Sequence, residues 1–473
     1  PVVDGDDVVG VVTRTDLIRL WGVPEEPSRR LGIAARLRQG LSDPVLTLVR
    51  RVSQTADEMG FVPYFVGGLV RDLLLGQSIV DVDMVIEGNA IDLAQRLANT
   101  LGGRVIAHRR FGTAKWLLSN VVWARLTDRV SSEDELPPSI DFVTARTEFY
   151  THPTALPQVE QSSIKQDLHR RDFTINTLAI RLDPDHWGEL LDFYGGEADL
   201  EAGVIRVLHS LSFIDDPTRI LRAARLESRL DFHLDPRSEE LIDDALPLLK
   251  RVSGDRIRHE LELIFREHEP ERALCRLADL GALSQIHPDL ACDDWLKRTY
   301  RFIRKRLEPD VWNLTSEDLL FVNLALLACR LDREAMRSLG KRLKLKREDE
   351  EDLLLVANLH RQRATLADLD RTSEIYRMLQ PYPTRVLAVV WIASDSDLVR
   401  NRLLRYQTDW CLVEPELTGQ DLKDMGLKPA PLFGELLSLL REARLNEEVR
   451  TRDEEAALVR EVLACRDGTE ERE

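Results

Sequence analysis

The alternating stretch Ile79 to Val85 carries Asp81 and Asp83, so on a strand both carboxylates point to one side. Upstream, Phe65 and Val66 run into Gly67-Gly68, and Leu69 to Leu75 continues as an apolar-faced helical turn bearing Arg71 and Asp72. Glycines between strand and helix let backbone N–H groups approach phosphate oxygens, and the following helix N-terminus favours anions. Two acidic oxygens on one face can hold Mg²⁺ while leaving positions open for phosphate and water. Asp141 is a third candidate carboxylate, because it interrupts the apolar run Ile140-Asp141-Phe142-Val143. A buried carboxylate needs a partner. A place beside Asp81 and Asp83 is one explanation, and a surface-facing strand position is the other. The pattern as a whole suits transfer chemistry at a metal-bound triphosphate.

Two further stretches combine charge with fixed spacing. Asp167 to Asn176 reads DLHRRDFTIN, and Phe213 to Leu230 reads FIDDPTRILRAARLESRL. In the second, Asp215 and Asp216 suit a helix N-terminus and Pro217 its first turn. Ile220, Leu221, Ala224 and Leu230 give that helix its apolar face, and the spacing of Asp216 and Arg219 makes their side chains neighbours. Taken alone, this is a capping aspartate and an intrahelical ion pair worth only ~0.3–0.5 kcal/mol.

The elements that must position these groups follow from periodicity. Val2 to Trp21 reads as two short strands around Gly5-Asp6-Asp7 and a helix capped by Thr15-Asp16. Glu25 to Gly40 reads as a linker with a short helix, and Asp43 to Met59 as a helix burying Val45, Leu48, Val49, Val52 and Ala56. Asn89 caps a helix over Ala90 to Leu101, ended by Gly102-Gly103. Arg104 to Ala107, Lys115 to Leu118, Val121 to Leu126 and Ile140 to Ala145 read as strands of a small mixed sheet with helices on one face. Thr147 to Asp167 reads as a loop, and from Ser238 onward the pattern is almost wholly helical.

Composition narrows the class. The 473 residues, 43% hydrophobic and 31% charged, are those of an ordinary soluble protein large enough for several domains. No apolar run approaches the ~18 residues that span a bilayer. The chain opens at Pro1 rather than Met, as a fragment or trimmed chain would. Its five cysteines lie far apart with no CxxC pair, which points to neither a zinc site nor a disulfide framework, and to a reducing, cytoplasmic setting. A net charge of −17 excludes a wholly basic nucleic-acid wrapper. Local arginine runs at 108–110, 169–171, 219–229 and 337–347 are either solvated helix faces or, together, an RNA track.

Taken in order, these motifs resemble the class II (bacterial-type) tRNA nucleotidyltransferase and poly(A) polymerase family. The resemblance rests on Gly67-Gly68-Leu69-Val70-Arg71-Asp72, Asp81-Val82-Asp83, Arg170 to Asn176, Asp215 to Arg222, and Val252-Ser253-Gly254-Asp255-Arg256-Ile257. It is strong over about residues 45 to 265 and loose beyond, with a tail motif at Leu417 to Leu422 and Pro429 to Leu432. Residues 1–22 resemble the closing part of a CBS module, and an ordinary hairpin and helix explain them equally well.

The resemblance implies an α+β, polymerase-β-like head with a small mixed sheet, then all-α neck, body and tail domains. The boundaries it implies are 1–22 CBS remnant, 23–42 linker, 43–182 catalytic head, 183–270 neck, 271–400 body and 401–473 tail. Asp81 and Asp83 would bind two Mg²⁺ ions, with Asp141 as a third catalytic carboxylate. Gly67, Gly68, Arg71 and Arg171 would hold the triphosphate, and Asp172 and Asn176 the ribose. Asp215, Asp216, Arg219 and Arg222 would form the base template. A carboxylate only accepts hydrogen bonds and a guanidinium only donates them. An Asp216–Arg219 pair therefore matches the amino group and ring nitrogen shared by cytosine and adenine, and leaves U and G with unpaired groups at ~1–3 kcal/mol each. The implied substrates are CTP, ATP and the 3′ acceptor end of tRNA, with no membrane partner.

Two departures matter. Asp215 stands where the family commonly has Glu. Glu148 to Val159 reads EFYTHPTALPQV, without the Arg or Lys that CCA-adding members often carry there, leaving CCA, CC or A addition open. The motifs equally allow a poly(A) polymerase acting on general RNA. A non-catalytic RNA-binding or CBS-regulated module conflicts with the intact Asp81, Asp83, Asp172 and Arg219 set.

Overall fold

The computed structural model describes residues 2–4, 7–10, 27–77, 82–127, 137–149, 158–427 and 431–470. The chain divides into two compact units. One comprises 1–219 with 230–245, and the other 220–229 with 246–473, so the division passes through the helix Thr218–Leu230.

The first unit opens with an antiparallel hairpin, β1 (Val2–Asp4) and β2 (Asp7–Gly10). The helix expected to follow it lies outside the described residues. The main sheet has seven strands: β3 (Val62–Val66), β4 (Asp83–Glu87), β5 (Arg104–His108), β6 (Thr113–Leu117), β7 (Ser139–Thr144), β10 (Ala179–Arg181) and β11 (Leu190–Leu191), in spatial order β11-β10-β3-β4-β7-β6-β5. Only β4 and β7 pair in parallel, so the sheet is mixed. Phe65, Met84, Ile86, Trp116 and Phe142 are fully buried on these strands. The helix Asp43–Glu58 buries Val45, Leu48, Val49, Val52 and Ala56, as its spacing requires. The helix Ala90–Leu101 starts where the Asn89 side chain accepts from the Ile91 and Asp92 N–H groups at 3.0 and 3.2 Å.

Several local expectations are corrected. Val121 to Leu126 is part of a helix, Asn120–Thr127, not a strand. Its β-branched and aromatic composition favours a strand, yet Val122 and Trp123 are buried together while Val121 is exposed, which is not strand alternation. The stretch read as a loop after Thr147 contains β8 (Arg146–Phe149), β9 (Gln158–Gln161) and the helix Ile164–His169, while residues 150–157 lie outside the described ones. The strand bearing Asp83 runs on to Glu87. Cys275 and Cys292 form a disulfide with their Cα atoms 4.9 Å apart, correcting the reading of unpaired cysteines. Packing of the helices Pro270–Asp279 and Asp294–Arg306 brings them together, which sequence spacing could not show.

The second unit is helical. Its motif Val252 to Ile257 is a packing device. Gly254 begins the helix Gly254–Phe265, and a Cβ there would lie 2.2 Å from the Arg342 carbonyl oxygen. Around it, Arg342 donates to the Val252 and Leu249 carbonyls at 3.0 and 2.8 Å, and Lys344 pairs with Asp255 at 2.9 Å. The tail stretch Leu417 to Leu422 is a helix start: Thr418 and Asp421 form a reciprocal cap, and Leu417 and Leu422 join Leu436, Leu440 and Val459 in a small core. Because backbone cannot yield as a side-chain tip can, Gly254→Ala should destabilise this unit by about 1–3 kcal/mol in urea unfolding. An unchanged midpoint would show that the helix does not need this close approach.

Candidate active site

The candidate residues of the first unit gather at one end of the main sheet, where β3 ends and β4, β7 and β10 begin. Asp83 opens β4 and stands in register beside Asp141 on the parallel strand β7. Neighbouring strands lie ~4.8 Å apart and in-register side chains share a face. Asp141 in turn faces Lys115 on β6, and the two form an ion pair at 2.9 Å. Asp83, Asp141 and Lys115 thus make one row across three strands. Asp141 is partly exposed, so no buried charge has to be explained. Asp81 lies outside the described residues. Among the described residues no group of three or more His, Cys, Asp or Glu is placed to hold a metal. The Asp83–Asp141 row nonetheless supplies hard oxygen donors of the type Mg²⁺ takes.

The glycine turn lies beside this row. Gly67 has φ +69° and ψ −131°, a conformation L side chains rarely adopt. A Cβ on it would also meet the Arg171 guanidinium at 2.7 Å. The Gly67 N–H donates to the Leu178 carbonyl at 3.1 Å, tying the turn to β10. Gly67 therefore leaves room for Arg171, and its own N–H is already engaged.

Arg71 is buried. It donates through Nε to Asp72 at 2.8 Å and through Nη1 to the Asn176 carboxamide oxygen at 2.8 Å. The Asn176 amide donates to Asp172 at 2.9 Å, and the same Asp172 oxygen takes the Phe173 N–H at 2.8 Å. A continuous relay, Asp72–Arg71–Asn176–Asp172, thus links the residues after the glycine turn to the second motif.

Asp167, not singled out from the sequence, is the hub of that motif. It is completely buried. One oxygen accepts from Arg170 at 2.7 Å and from the Arg146 N–H at 3.2 Å; the other accepts from Arg171 at 3.0 Å. Burial pushes its pKa up, but the charges of Arg171 and Arg170 and their hydrogen bonds outweigh this and hold it below the usual carboxylate value. Its contribution to stability is therefore present above the unfolded carboxylate pKa and is lost only as pH falls through the lower, folded value. The helix Ile164–His169 supplies the i, i+3 and i, i+4 spacing that makes both ion pairs. That spacing was visible in the sequence, but a segment read as loop gave no cause to apply it.

The Asp215 to Arg222 stretch begins with a short helix, Ser212–Asp215, followed by Thr218–Leu230. Asp216, in extended conformation between them, accepts from the Thr218 N–H at 3.1 Å and hydroxyl at 2.7 Å. Arg219 is buried and clasped: Nη1 donates to the Ser212 hydroxyl at 2.5 Å and Nη2 to the Arg170 carbonyl at 2.8 Å. Arg219 is thereby fixed against the Asp167 motif. Arg222 belongs to the other unit, where it pairs with Glu260 at 3.0 Å. Thr174 is anchored at 2.6 Å to Asp199, which also binds Arg206 at 3.0 Å. Neither Asp199 nor Arg206 stood out in the sequence.

The profile of the Poly A polymerase head domain matches residues 63–206, and that described as the probable RNA and SrmB-binding site of polymerase A matches 231–293. An A-adding tRNA nucleotidyltransferase of Geobacter sulfurreducens is 35% identical, covering 96% of this chain and 53% of its own length. One from Halalkalibacterium halodurans is 32% identical, covering 89% of this chain and 93% of its own. The chain thus spans about half the length of the Geobacter protein and nearly all of the Halalkalibacterium one. Among solved structures, a CCA-adding enzyme in apo form superposes with TM-score 0.76 at 32% identity, covering 92% of this chain and 98% of that one. The Thermotoga maritima CCA-adding enzyme complexed with tRNA does so with TM-score 0.71 at 30% identity, with the same coverage. A CCA-adding enzyme complexed with ATP gives TM-score 0.72 at 31% identity, covering 92% and 96%.

Removing the hub leaves two adjacent guanidinium groups without their shared counter-ion. Asp167→Ala should therefore cost the first unit about 3 kcal/mol or more, measured by denaturant unfolding. A loss below 1 kcal/mol would show that Arg170 and Arg171 do not depend on it.

Proposed function

The chain belongs to the class II tRNA nucleotidyltransferase and poly(A) polymerase family, and from that premise we propose that it adds A from ATP to the 3′ end of tRNA. The observation that carries the transfer reading is the in-register pair of Asp83 and Asp141 at the sheet end that also holds the Gly67 turn and Arg171. The choice of A is supported by the two relatives, both named A-adding and one matched over nearly its full length. An Asp–Arg template matches both amino bases, so CTP is the nucleotide the experiment must separate from ATP.

In this reading Asp83, with Asp81 and Asp141, would hold Mg²⁺. When bound, the ions supply charge neutralisation at the triphosphate and the departing pyrophosphate. The remaining work falls to the protein. Arg171, oriented by Asp167 over Gly67, faces the triphosphate at the Gly67-Gly68 turn. Arg71 acts from beneath, keeping Asn176 and Asp172 aligned for the ribose. Lys115 holds Asp141 until a competing cation draws it away. Arg219 presents a guanidinium fixed by Ser212 and the Arg170 carbonyl, so a base with the wrong donor pattern cannot be met by a shifted rotamer. Asp215 and Asp216 complete the template edge, while Arg222, which the family resemblance adds to it, is engaged with Glu260 in the other unit. The domain reading of 43–182 as head, 183–270 as neck and the remainder as body and tail goes with this function, as does a cytoplasmic setting. Residues 1–22 are read as the closing part of a CBS module.

The experiment is incubation with tRNAs ending before the first C, after CC and after CCA, with each nucleotide singly and with CTP plus ATP. We expect Mg²⁺-dependent addition of a single A to the CC-ended tRNA, and no incorporation from UTP or GTP. Asp83→Ala should reduce the rate by at least a thousandfold, roughly 4 kcal/mol. Addition of CC or CCA, or repeated A addition to any RNA, would replace the A-adding reading, and full activity of Asp83→Ala would remove the metal assignment.

A further inference from the structure

Beside the Arg219 clasp the first unit carries four aromatic rings in continuous contact. Phe193 meets Tyr194 edge-on at 6.4 Å between centroids, Tyr194 meets His169 at 5.8 Å, and His169 lies nearly parallel to His209 at 5.9 Å and 11°. Phe193 and Tyr194 are half-buried and anchor the ladder against the apolar cluster around Tyr64, Val66 and Leu168, whereas His209 is partly exposed and His169 exposed. The far end of the ladder is basic, with the Lys165 ammonium 6.0 Å from the Phe193 centroid, and the Tyr194 hydroxyl donates to the Lys165 carbonyl at 3.3 Å.

The near end is tied to the base-template arginine through both of its supports. His169 immediately precedes Arg170, whose carbonyl holds one Arg219 nitrogen, and His209 precedes Ser212, whose hydroxyl holds the other. His209 also lies within electrostatic reach of Asp215, Arg219 and His169. Burial first, then the Arg219 and His169 charges, lower its pKa against the pull of Asp215, which favours the neutral ring. A neutral, partly exposed ring parallel to a second one offers a flat apolar face beside a cationic group.

We propose that this ladder is a stacking platform for the unpaired 3′-terminal bases of the RNA acceptor, with the last base against the His169–His209 pair. The assignment rests on the nucleotidyl-transfer reading above. Stacking is tolerant of base identity because every base has a π-face, and a neighbouring ammonium serves the phosphate. The incoming base is the one read by Asp216 and Arg219. The ladder ends at the residues that support Arg219, so the RNA's last base on it would lie beside the incoming one, as chain extension requires. In this arrangement the platform sets affinity for the RNA end and leaves nucleotide choice to the template.

The test uses the full chain and a short RNA whose final C is replaced by 2-aminopurine, alongside the unmodified CC-ended tRNA. We expect wild type to quench the fluorophore on binding. His169→Ala combined with His209→Ala should abolish quenching and raise the KM for tRNA roughly tenfold, with the KM for ATP unchanged. Replacing both histidines by Phe, which keeps the flat faces, should restore quenching and KM. Thermal unfolding of each variant reports folding, and the single His169→Ala change at an exposed position supplies the same readout if the double variant unfolds. Absence of quenching in wild type would overturn the platform, as would an unchanged KM for tRNA in a folded variant. A rise in KM for ATP alone would overturn it too, by assigning the rings to the incoming base. If wild type incorporates no nucleotide, the transfer reading fails separately, since quenching is read by binding alone.

Discussion

The buried carboxylate of Asp167 is the constraint on which the rest of the site depends. Arg170 and Arg171 are adjacent in sequence and carry like charges, so they repel unless an anion lies between them. A fully buried acid between them offsets its own desolvation only by binding both. That requirement sends the Arg171 guanidinium over the glycine turn, where only a residue without Cβ leaves room. It also sets the Arg170 backbone so that its carbonyl can receive Arg219. One ion cluster therefore links the glycine turn to Arg219.

A second principle runs through the site: its charged groups are held by neighbours before any substrate arrives. Arg71 is committed to Asp72 and Asn176, Arg219 to Ser212 and a carbonyl, and Asp216 to Thr218. Such groups have lost their rotamer freedom in folding, so little reorganisation is left for binding. The sheet contributes in the same way. Register alone puts Asp83, Asp141 and Lys115 side by side, although they come from three separated stretches of chain.

Much of the first unit was legible in the sequence because its signals are local. Apolar spacing marked the helix Asp43–Glu58, Asn89 marked a helix start, and alternation marked β5, β6 and β7. The helix Asn120–Thr127 was misread because Val121, Val122 and Trp123 favour strands, and burial of one helical face overrode that preference. The helix Ile164–His169 was missed because it is barely more than a turn long, too short for periodicity to register. The disulfide between Cys275 and Cys292 depends on how two helices pack, which cysteine spacing does not encode.

The chemistry on offer is written in short stretches of chain: acidic strand, glycine turn, Arg-Arg-Asp motif and Asp–Arg helix start, each recognisable because residue type and short spacing limit what it can do. How those pieces act on one another is a property of the folded chain. The fold shows that Gly67 makes room for Arg171, that Arg71 is an internal brace, that Asp141 stands partly exposed beside Asp83, and that Asp167 joins two arginines, one of which receives Arg219 on its carbonyl. Each of these is a relation between residues distant in sequence or a question of burial. Both are settled by sheet register and packing, which no single stretch of chain contains.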